Sequence, residues 1–125
     1  MSKDAKVISE SWKTREGPAV FATVNKDGTP NIVYVGAIDL LDNESVVIAN
    51  NYFDKTKANL PETKTAALLF MDGNKKAYQF KGTLSEHTEG PAFDHMKQIN
   101  PSRHPGHSAV VLHVKEVYSG SEKLY

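Results

Sequence analysis

The sequence contains no cysteine. Without thiols the chain forms no disulfides, binds no iron–sulfur cluster, and has neither a thiolate nucleophile nor a Cys-type zinc site. Any redox chemistry must therefore come from a bound cofactor.

The sequence also lacks an excess of charge of either sign, because 15 Lys and Arg balance 15 Asp and Glu. A neutral chain has no overall positive field that would attract a nucleic acid. Long hydrophobic runs are missing too, and the charged start Met1-Ser2-Lys3-Asp4 resembles no signal peptide. These features predict a cytoplasmic protein with neither a nucleic acid nor a membrane as partner.

The phosphate-binding glycine motifs of Rossmann and P-loop proteins are absent from the sequence. What the sequence does contain is typical of one ordinary domain spanning residues 1–125, with 39% hydrophobic and 24% charged residues. If the protein binds a nucleotide, it therefore does so through a site other than a Rossmann or P-loop motif.

Hydrophobic patterning predicts a mainly β fold of about six strands and two or three short helices. Asp27-Gly28 is a hairpin turn signal. Asp4 and Asp54 are candidate N-caps of the first two helices, and Pro91 opens the third. The predicted strands are 19–24, 31–35, 45–49, 66–71, 77–84 and 108–114, and the predicted helices are 5–16, 55–60 and 91–99.

The five histidines do not form a recognisable metal motif. His104 and His107 are close in sequence, but no third ligand recurs at a spacing typical of zinc sites. His113 lies within an apolar strand, which favours a core or interface position. We therefore expect no metal site.

Three segments in succession are similar to a known family. They are Val46-Val47-Ile48-Ala49-Asn50, Lys55-Thr56-Lys57-Ala58-Asn59-Leu60 and Thr65-Ala66-Ala67-Leu68-Leu69-Phe70. Together with Gly82 and the final strand, they resemble the pyridoxamine 5'-phosphate oxidase-like split barrels, especially the small bacterial FMN-binding proteins. The resemblance covers roughly residues 15–120. It implies a six-stranded antiparallel Greek-key split barrel and a homodimer with FMN at the subunit interface.

The resemblance implies a phosphate site at Lys55 and Thr56. A phosphate monoester needs several donors in a small volume, and a helix start supplies backbone N–H groups there. Lys55 would add a charge, Thr56 a hydroxyl, and Asn59 a second polar group one turn later. The alternative is a solvated helix start, and an ionised Asp54 beside a phosphate would oppose binding.

The resemblance also implies where the flavin ring binds. The ring needs a flat apolar wall and a few polar groups at its edge. Val33, Tyr34 and Val35 stand where related proteins place such a wall, and Ala49, Asn50 and Asn51 where they place the edge contacts. The pattern at Tyr34 is equally consistent with an aromatic residue of the core or of a dimer interface. The pattern at Asn50 is equally consistent with a turn residue at the end of a strand.

The function that the resemblance implies is that of an FMN flavoprotein, either an electron carrier or a small flavin-dependent oxidoreductase with an unidentified redox partner. A true vitamin B6 oxidase is not expected, because that enzyme has a longer chain with an additional C-terminal segment. The alternatives are a split barrel that uses a deazaflavin or haem, and a dimeric ligand-binding module without catalysis.

Overall fold

The computed structural model describes residues 5–61 and 64–125, which form eight strands and three helices. In chain order the elements are α1 Lys6–Trp12, β1 Arg15–Val24, β2 Pro30–Val35, β3 Ile38–Asp42, β4 Ser45–Asn50, α2 Lys55–Asn59, β5 Thr65–Asp72, β6 Ala77–His87, α3 Pro91–Ile99, β7 Ser108–Ser119 and β8 Glu122–Lys123. No described helix is long and apolar enough to cross a membrane.

The strands form one antiparallel sheet in the order β2-β1-β5-β6-β7-β4-β3, with β8 paired to the end of β7. This mainly β architecture is consistent with a split-barrel-like fold. The sheet is open, however, with β2 and β3 at its two ends. The prediction of six strands is therefore wrong, and the predicted split barrel is found as an open, split-barrel-like sheet.

The two strands missed by the sequence patterns are short and lie at edges. β3 begins only two residues after β2 and pairs with β4 alone. β8 has two residues, both exposed. β3 contains apolar residues but is separated from β2 by only two residues, and β8 consists of two charged residues, so neither has a long apolar run of its own.

The first helix ends at Trp12, earlier than predicted, and Gly17 and Pro18 lie inside β1. Proline cannot donate to a sheet ladder and normally interrupts a strand. Here the register between β1 and β5 shifts between Glu16 and Val20, so Pro18 sits at an irregularity where no regular pairing is lost. The predicted cap Asp4 lies outside the described residues.

The β1–β2 hairpin has the predicted turn. The side-chain oxygen of Asn25 accepts hydrogen bonds from the backbone N–H groups of Asp27 and Thr29, both at 2.9 Å. Gly28 has φ +85°, a conformation that favours glycine. The turn thus aligns β2 beside β1, which brings Val33, Tyr34 and Val35 to the edge of the sheet.

The core consists of two apolar clusters on opposite faces of the sheet. Phe21, Phe70 and Phe80 are central to the larger cluster, while Val47 and Met96 belong to a smaller one beneath α3. Every residue of β4 is buried, because the large cluster covers one face and α3 the other. A continuous apolar run such as Val46-Val47-Ile48-Ala49 is typical of a strand buried on both faces.

The helices α2 and α3 match the predicted positions, but one predicted cap is wrong. Asp54 has φ −121° and ψ −80°, and its carboxylate makes no capping hydrogen bond. The Asp54 carboxylate thus does not cap α2. By contrast, α3 begins at Pro91 as predicted and buries Ala92 and Met96.

Gly82 brings β6 close to β7. A Cβ atom added at Gly82 would lie 1.9 Å from the backbone oxygen of His113, which no side chain tolerates. The register between these strands also shifts between Lys81 and Gly82. Gly82 is therefore required by the close approach of two backbones.

Candidate functional site

The candidate site is a cleft of about 450 Å³ where the end of β2, the end of β4 and the segment after α3 converge. Most of its lining is apolar or aromatic, with polar groups at the margins. The lining residues are Val33, Tyr34, Val35, Gly36, Ala37, Ala49, Asn51, Tyr52, Phe53, Ile99, Pro101, Arg103 and His104.

Small residues line the cleft between β2 and β4. The backbone N–H of Ala49 donates to the carbonyl of Ala37 at 3.0 Å, which holds the two segments together. A Cβ atom added at Gly36 would meet no other atom within 4 Å. The backbone at Gly36 is thus open to close approach by a ligand.

The side chain of Asn51 belongs to a paired-amide contact. Asn51 Nδ2 donates to Asn100 Oδ1 at 2.9 Å, and Asn100 Nδ2 donates to Asn51 Oδ1 at 2.8 Å. Asn51 Oδ1 also accepts the backbone N–H of Gly106 at 2.9 Å. Asn51 therefore joins the end of β4 to both ends of the segment between α3 and β7.

That segment, residues 100–107, forms one wall of the cleft and is fastened at further points. The backbone N–H of His107 donates to the carbonyl of Asn50 at 2.8 Å, and Lys97 Nζ donates to the carbonyl of Pro105 at 3.0 Å. Gly106 has φ +56°, which favours glycine at this tight position. The wall is thus held by several hydrogen bonds although it contains no helix or strand.

The wall residues Arg103 and His104 carry polar groups at the cleft, next to Tyr52 and Phe53. Tyr52 Oη lies 3.1 Å from His104 Nδ1, and the two rings meet edge to face with centroids 5.6 Å apart. Arg103 also lines the cleft and is exposed. Phe53, on the inner side, packs against Phe21 with centroids 6.0 Å apart.

Asn50 is buried and does not line the cleft. Its Nδ2 donates to Ser108 Oγ at 3.1 Å, and its Oδ1 accepts the backbone N–H of Phe53 at 3.3 Å. Ser108 in turn donates to Glu86 at 2.6 Å. Asn50 thereby supports the chain segment that carries Tyr52 and Phe53.

Glu86 ends this chain of hydrogen bonds in an ion pair with Lys57 of α2. Burial acts to raise the pKa of Glu86, but hydrogen bonds from Lys57 and Ser108 outweigh it and lower the pKa below its ordinary value. The carboxylate is therefore ionised at neutral pH and connects α2 to β6.

The three predicted residues of α2 lie outside the cleft lining. Lys55 is exposed, whereas Thr56 is buried and its Oγ1 accepts a hydrogen bond from Asn31 Nδ2 at 2.9 Å. Asn59 is also buried and donates to Thr23 Oγ1 at 3.0 Å. Thr56 and Asn59 thus fasten α2 to β2 and β1, and Lys55 extends from that support.

Five of the nine predicted cofactor residues line the cleft, namely Val33, Tyr34, Val35, Ala49 and Asn51. Sequence reasoning did not include Tyr52, Phe53, Arg103 or His104 in the site. Of these four residues only His104 is named in the sequence analysis, as a candidate metal ligand. The sequence signal for this part of the site was a loop with Pro101, Arg103 and His104 directly after an amphipathic helix.

Comparison with known sequences identifies a family and a relative. A family model described as pyridoxamine 5'-phosphate oxidase matches residues 9–120. An uncharacterised protein of Methanocaldococcus jannaschii is 34% identical over 120 residues, which cover 91% of this chain and 80% of the relative. The family match includes the whole cleft.

Solved structures share the fold. HupZ of Group A Streptococcus superposes with a TM-score of 0.78 at 22% identity, covering 94% of each chain. An FMN-binding protein from Syntrophomonas wolfei gives 0.77 at 21% identity, covering 94% of this chain and 84% of its own.

Two further structures are more distant. An F420 reductase gives a TM-score of 0.68 at 16% identity, covering 87% of this chain and 94% of its own. A haem-binding protein from Mycobacterium smegmatis gives 0.67 at 15% identity, covering 94% of this chain and 54% of its own. One fold therefore occurs in proteins whose names refer to different cofactors.

Proposed function

The chain belongs to the pyridoxamine 5'-phosphate oxidase family, and we propose that it is a flavin-binding protein that holds FMN in the cleft between β2, β4 and residues 100–107. In this role it is an electron carrier or a small oxidoreductase. FMN-binding by a protein of the same fold supports the choice of cofactor.

The observation that carries the proposal is the shape and chemistry of the cleft. Its volume of about 450 Å³ falls within the range of small-molecule pockets. Val33 and Val35 provide apolar wall, Tyr34 and Phe53 provide aromatic surface, and the backbone is open at Gly36. A planar aromatic ring with polar edges fits such a lining.

The phosphate group of the cofactor is assigned in this proposal to Lys55 and Thr56. Lys55 is exposed and supplies a positive charge. The Thr56 hydroxyl accepts from Asn31 and keeps its own hydrogen available for donation. Asn59 supports these residues by fixing α2 against β1.

Bound FMN would supply hydride or electron transfer, which no side chain of this chain performs by itself. The protein's own residues would bind and orient the cofactor and limit the access of water. Asn50 and Asn51 act indirectly in this scheme, because their amides hold the walls of the cleft in place.

We further propose a homodimer that uses the outer face of β2, β1 and β5. Tyr34 on this face is 79% exposed, although it lies at the margin of the cleft. Ile32, Leu69 and Met71 are exposed on the same strands. A second copy would cover these apolar side chains and shield the cleft from solvent.

The first test is the identity of the bound cofactor. The purified protein should be yellow and release FMN on denaturation, which absorbance and mass spectrometry would detect. A Soret band would indicate haem instead, and release of a deazaflavin would also contradict the assignment of FMN.

The second test addresses the phosphate group. Lys55→Ala should weaken FMN binding about ten- to one-hundred-fold, because a charge-assisted hydrogen bond contributes about 1.5–3 kcal/mol. Riboflavin, which has no phosphate, should bind wild type and variant equally. Lys26→Ala, in the β1–β2 turn, is the matched control. An unchanged preference for FMN over riboflavin in Lys55→Ala would place the phosphate elsewhere.

A further inference from the structure

The chain has two arginines, and their environments differ. Arg15 lies over the Trp12 ring, with its guanidinium carbon 4.7 Å from the ring centroid, and it donates to the carbonyl of Gly17. Arg103 is exposed and lines the cleft. Among the described residues of that lining, only Arg103 carries a permanent charge.

His104, the neighbour of Arg103, adds a second donor to the cleft. The phenol of Tyr52 lies within hydrogen-bond distance of His104 Nδ1. When the phenol donates to Nδ1, the neutral imidazole carries its proton on Nε2 and presents an N–H group. Two adjacent residues of the wall thus offer donors, and Arg103 offers up to five N–H groups in a planar fork.

The backbone that carries these donors is held in advance. Residue 100 is fixed by the paired amides of Asn51 and Asn100, and residues 106 and 107 are fixed by hydrogen bonds to Asn51 and Asn50. Binding of a ligand would therefore order little additional backbone, which lowers the entropic cost of recognition.

We propose that Arg103 and His104 form an oxyanion-binding subsite in the wall of the cleft, which recognises a carboxylate or phosphate group. The inference rests on the proposed function, because it concerns the same cleft. A fork of N–H donors matches the two oxygens of such a group. The oxyanion belongs either to the cofactor or to a second substrate that reacts with it.

The decisive measurement uses the protein without flavin. Benzoate and inorganic phosphate are titrated into wild type, Arg103→Gln, Arg103→Lys and the control Lys26→Gln, and the amide resonances of the non-proline residues of 100–107 are followed by NMR. Benzamide serves as the neutral analogue of benzoate. Arg103→Gln should weaken binding of at least one anion tenfold or more, Arg103→Lys should weaken it less, and Lys26→Gln should match wild type.

Flavin titrations identify the source of the oxyanion. A loss of FMN affinity in Arg103→Gln without a loss of riboflavin affinity assigns the subsite to the cofactor phosphate, in place of Lys55 and Thr56. Unchanged affinity for both flavins, combined with weaker benzoate binding, assigns it to a second substrate.

Two results would overturn the subsite. The first is that wild type binds neither anion, and the second is that Arg103→Gln binds both anions as Lys26→Gln does. Failure of wild type to bind any flavin would refute the proposed function instead, while the anion titrations would still decide on the subsite.

Discussion

The wall formed by residues 100–107 and the outer face of β2, β1 and β5 differ in whether their side chains and backbone groups have partners within the chain. In the wall, amide and backbone groups bond to one another, as in the contacts of Asn51 with Asn100 and Gly106. On the outer face, Tyr34 and Leu69 both pair with Val20 across the sheet, yet they remain 79% and 43% exposed.

The wall is therefore a rigid part of the cleft, whereas the outer face is suited to contact with a partner. Polar groups that bond internally keep a fixed geometry without any partner. Apolar side chains on a sheet face gain stability only when something covers them, and several adjacent ones are unusual on an isolated soluble domain. We therefore expect the wall to control what enters the cleft and the outer face to control assembly.

The largest effect is expected from a charge on the outer face. Leu69→Glu should weaken the proposed dimer one-hundred-fold or more, because an unpaired carboxylate buried in an interface is costly. The single chain should stay folded, since Leu69 is 43% exposed. Sedimentation equilibrium should change from twice the chain mass to 13.8 kDa. A wild-type protein that already sediments as one chain would refute the interface.

The next largest effect is expected from loss of the paired amides. Asn51→Ala leaves the amide of Asn100 and the N–H of Gly106 without their partner and should reduce the free energy of unfolding by roughly 2–4 kcal/mol. Asn25→Ala removes two hydrogen bonds from backbone N–H groups, but in an exposed turn where water replaces them, so its loss should be about 1 kcal/mol or less. Urea denaturation measures the free energy of unfolding of both variants. Equal losses would show that the hydrogen bonds of the wall stabilise the fold no more than those of an exposed turn.

The smallest effect concerns the ion pair that links α2 to β6. Glu86→Gln should lower the free energy of unfolding at pH 7 by roughly 0.5–1 kcal/mol, because the pair is partly exposed. The pKa of Glu86 is lower in the folded chain than its ordinary 4.5. Its stabilisation is thus present above about pH 4.5 and is lost as the pH falls through the folded pKa.

The difference between wild type and Glu86→Gln should therefore shrink below about pH 4.5. Urea denaturation of both proteins at several pH values from about 3 to about 7 would test this pH dependence. A difference that grows on acidification would have the wrong sign and would mean that the carboxylate does not stabilise the fold through its ionised form.

Much of the fold could be predicted because local signals agreed with the tertiary structure. The apolar run of β4 indicates burial on both faces, and Pro91 begins α3 as its position predicts. Gly17 and Pro18 misled the prediction, since a strand accepts them only where its register shifts. β3 was missed because an edge strand with partly buried side chains resembles a loop.

The candidate site was predictable to a different extent. Strand ends such as Val33, Tyr34 and Ala49 were identified through the family resemblance, and they line the cleft. The roles of Lys55 and Thr56 toward a phosphate remain predictions. Arg103 and His104 could not be placed, because no periodicity indicates where a loop of eight residues folds back.

The sequence by itself determined the chemistry that is available: no thiols, balanced charge, buried strands, and a family motif across most of the chain. Only the tertiary structure decided which of those groups meet. Asn51 lies 49 residues before Asn100 and 55 before Gly106, and its hydrogen bonds to them form only when β4 and α3 pack together. Burial dictates local patterns in a sequence, whereas the geometry of a cleft depends on contacts between distant segments that no local pattern records.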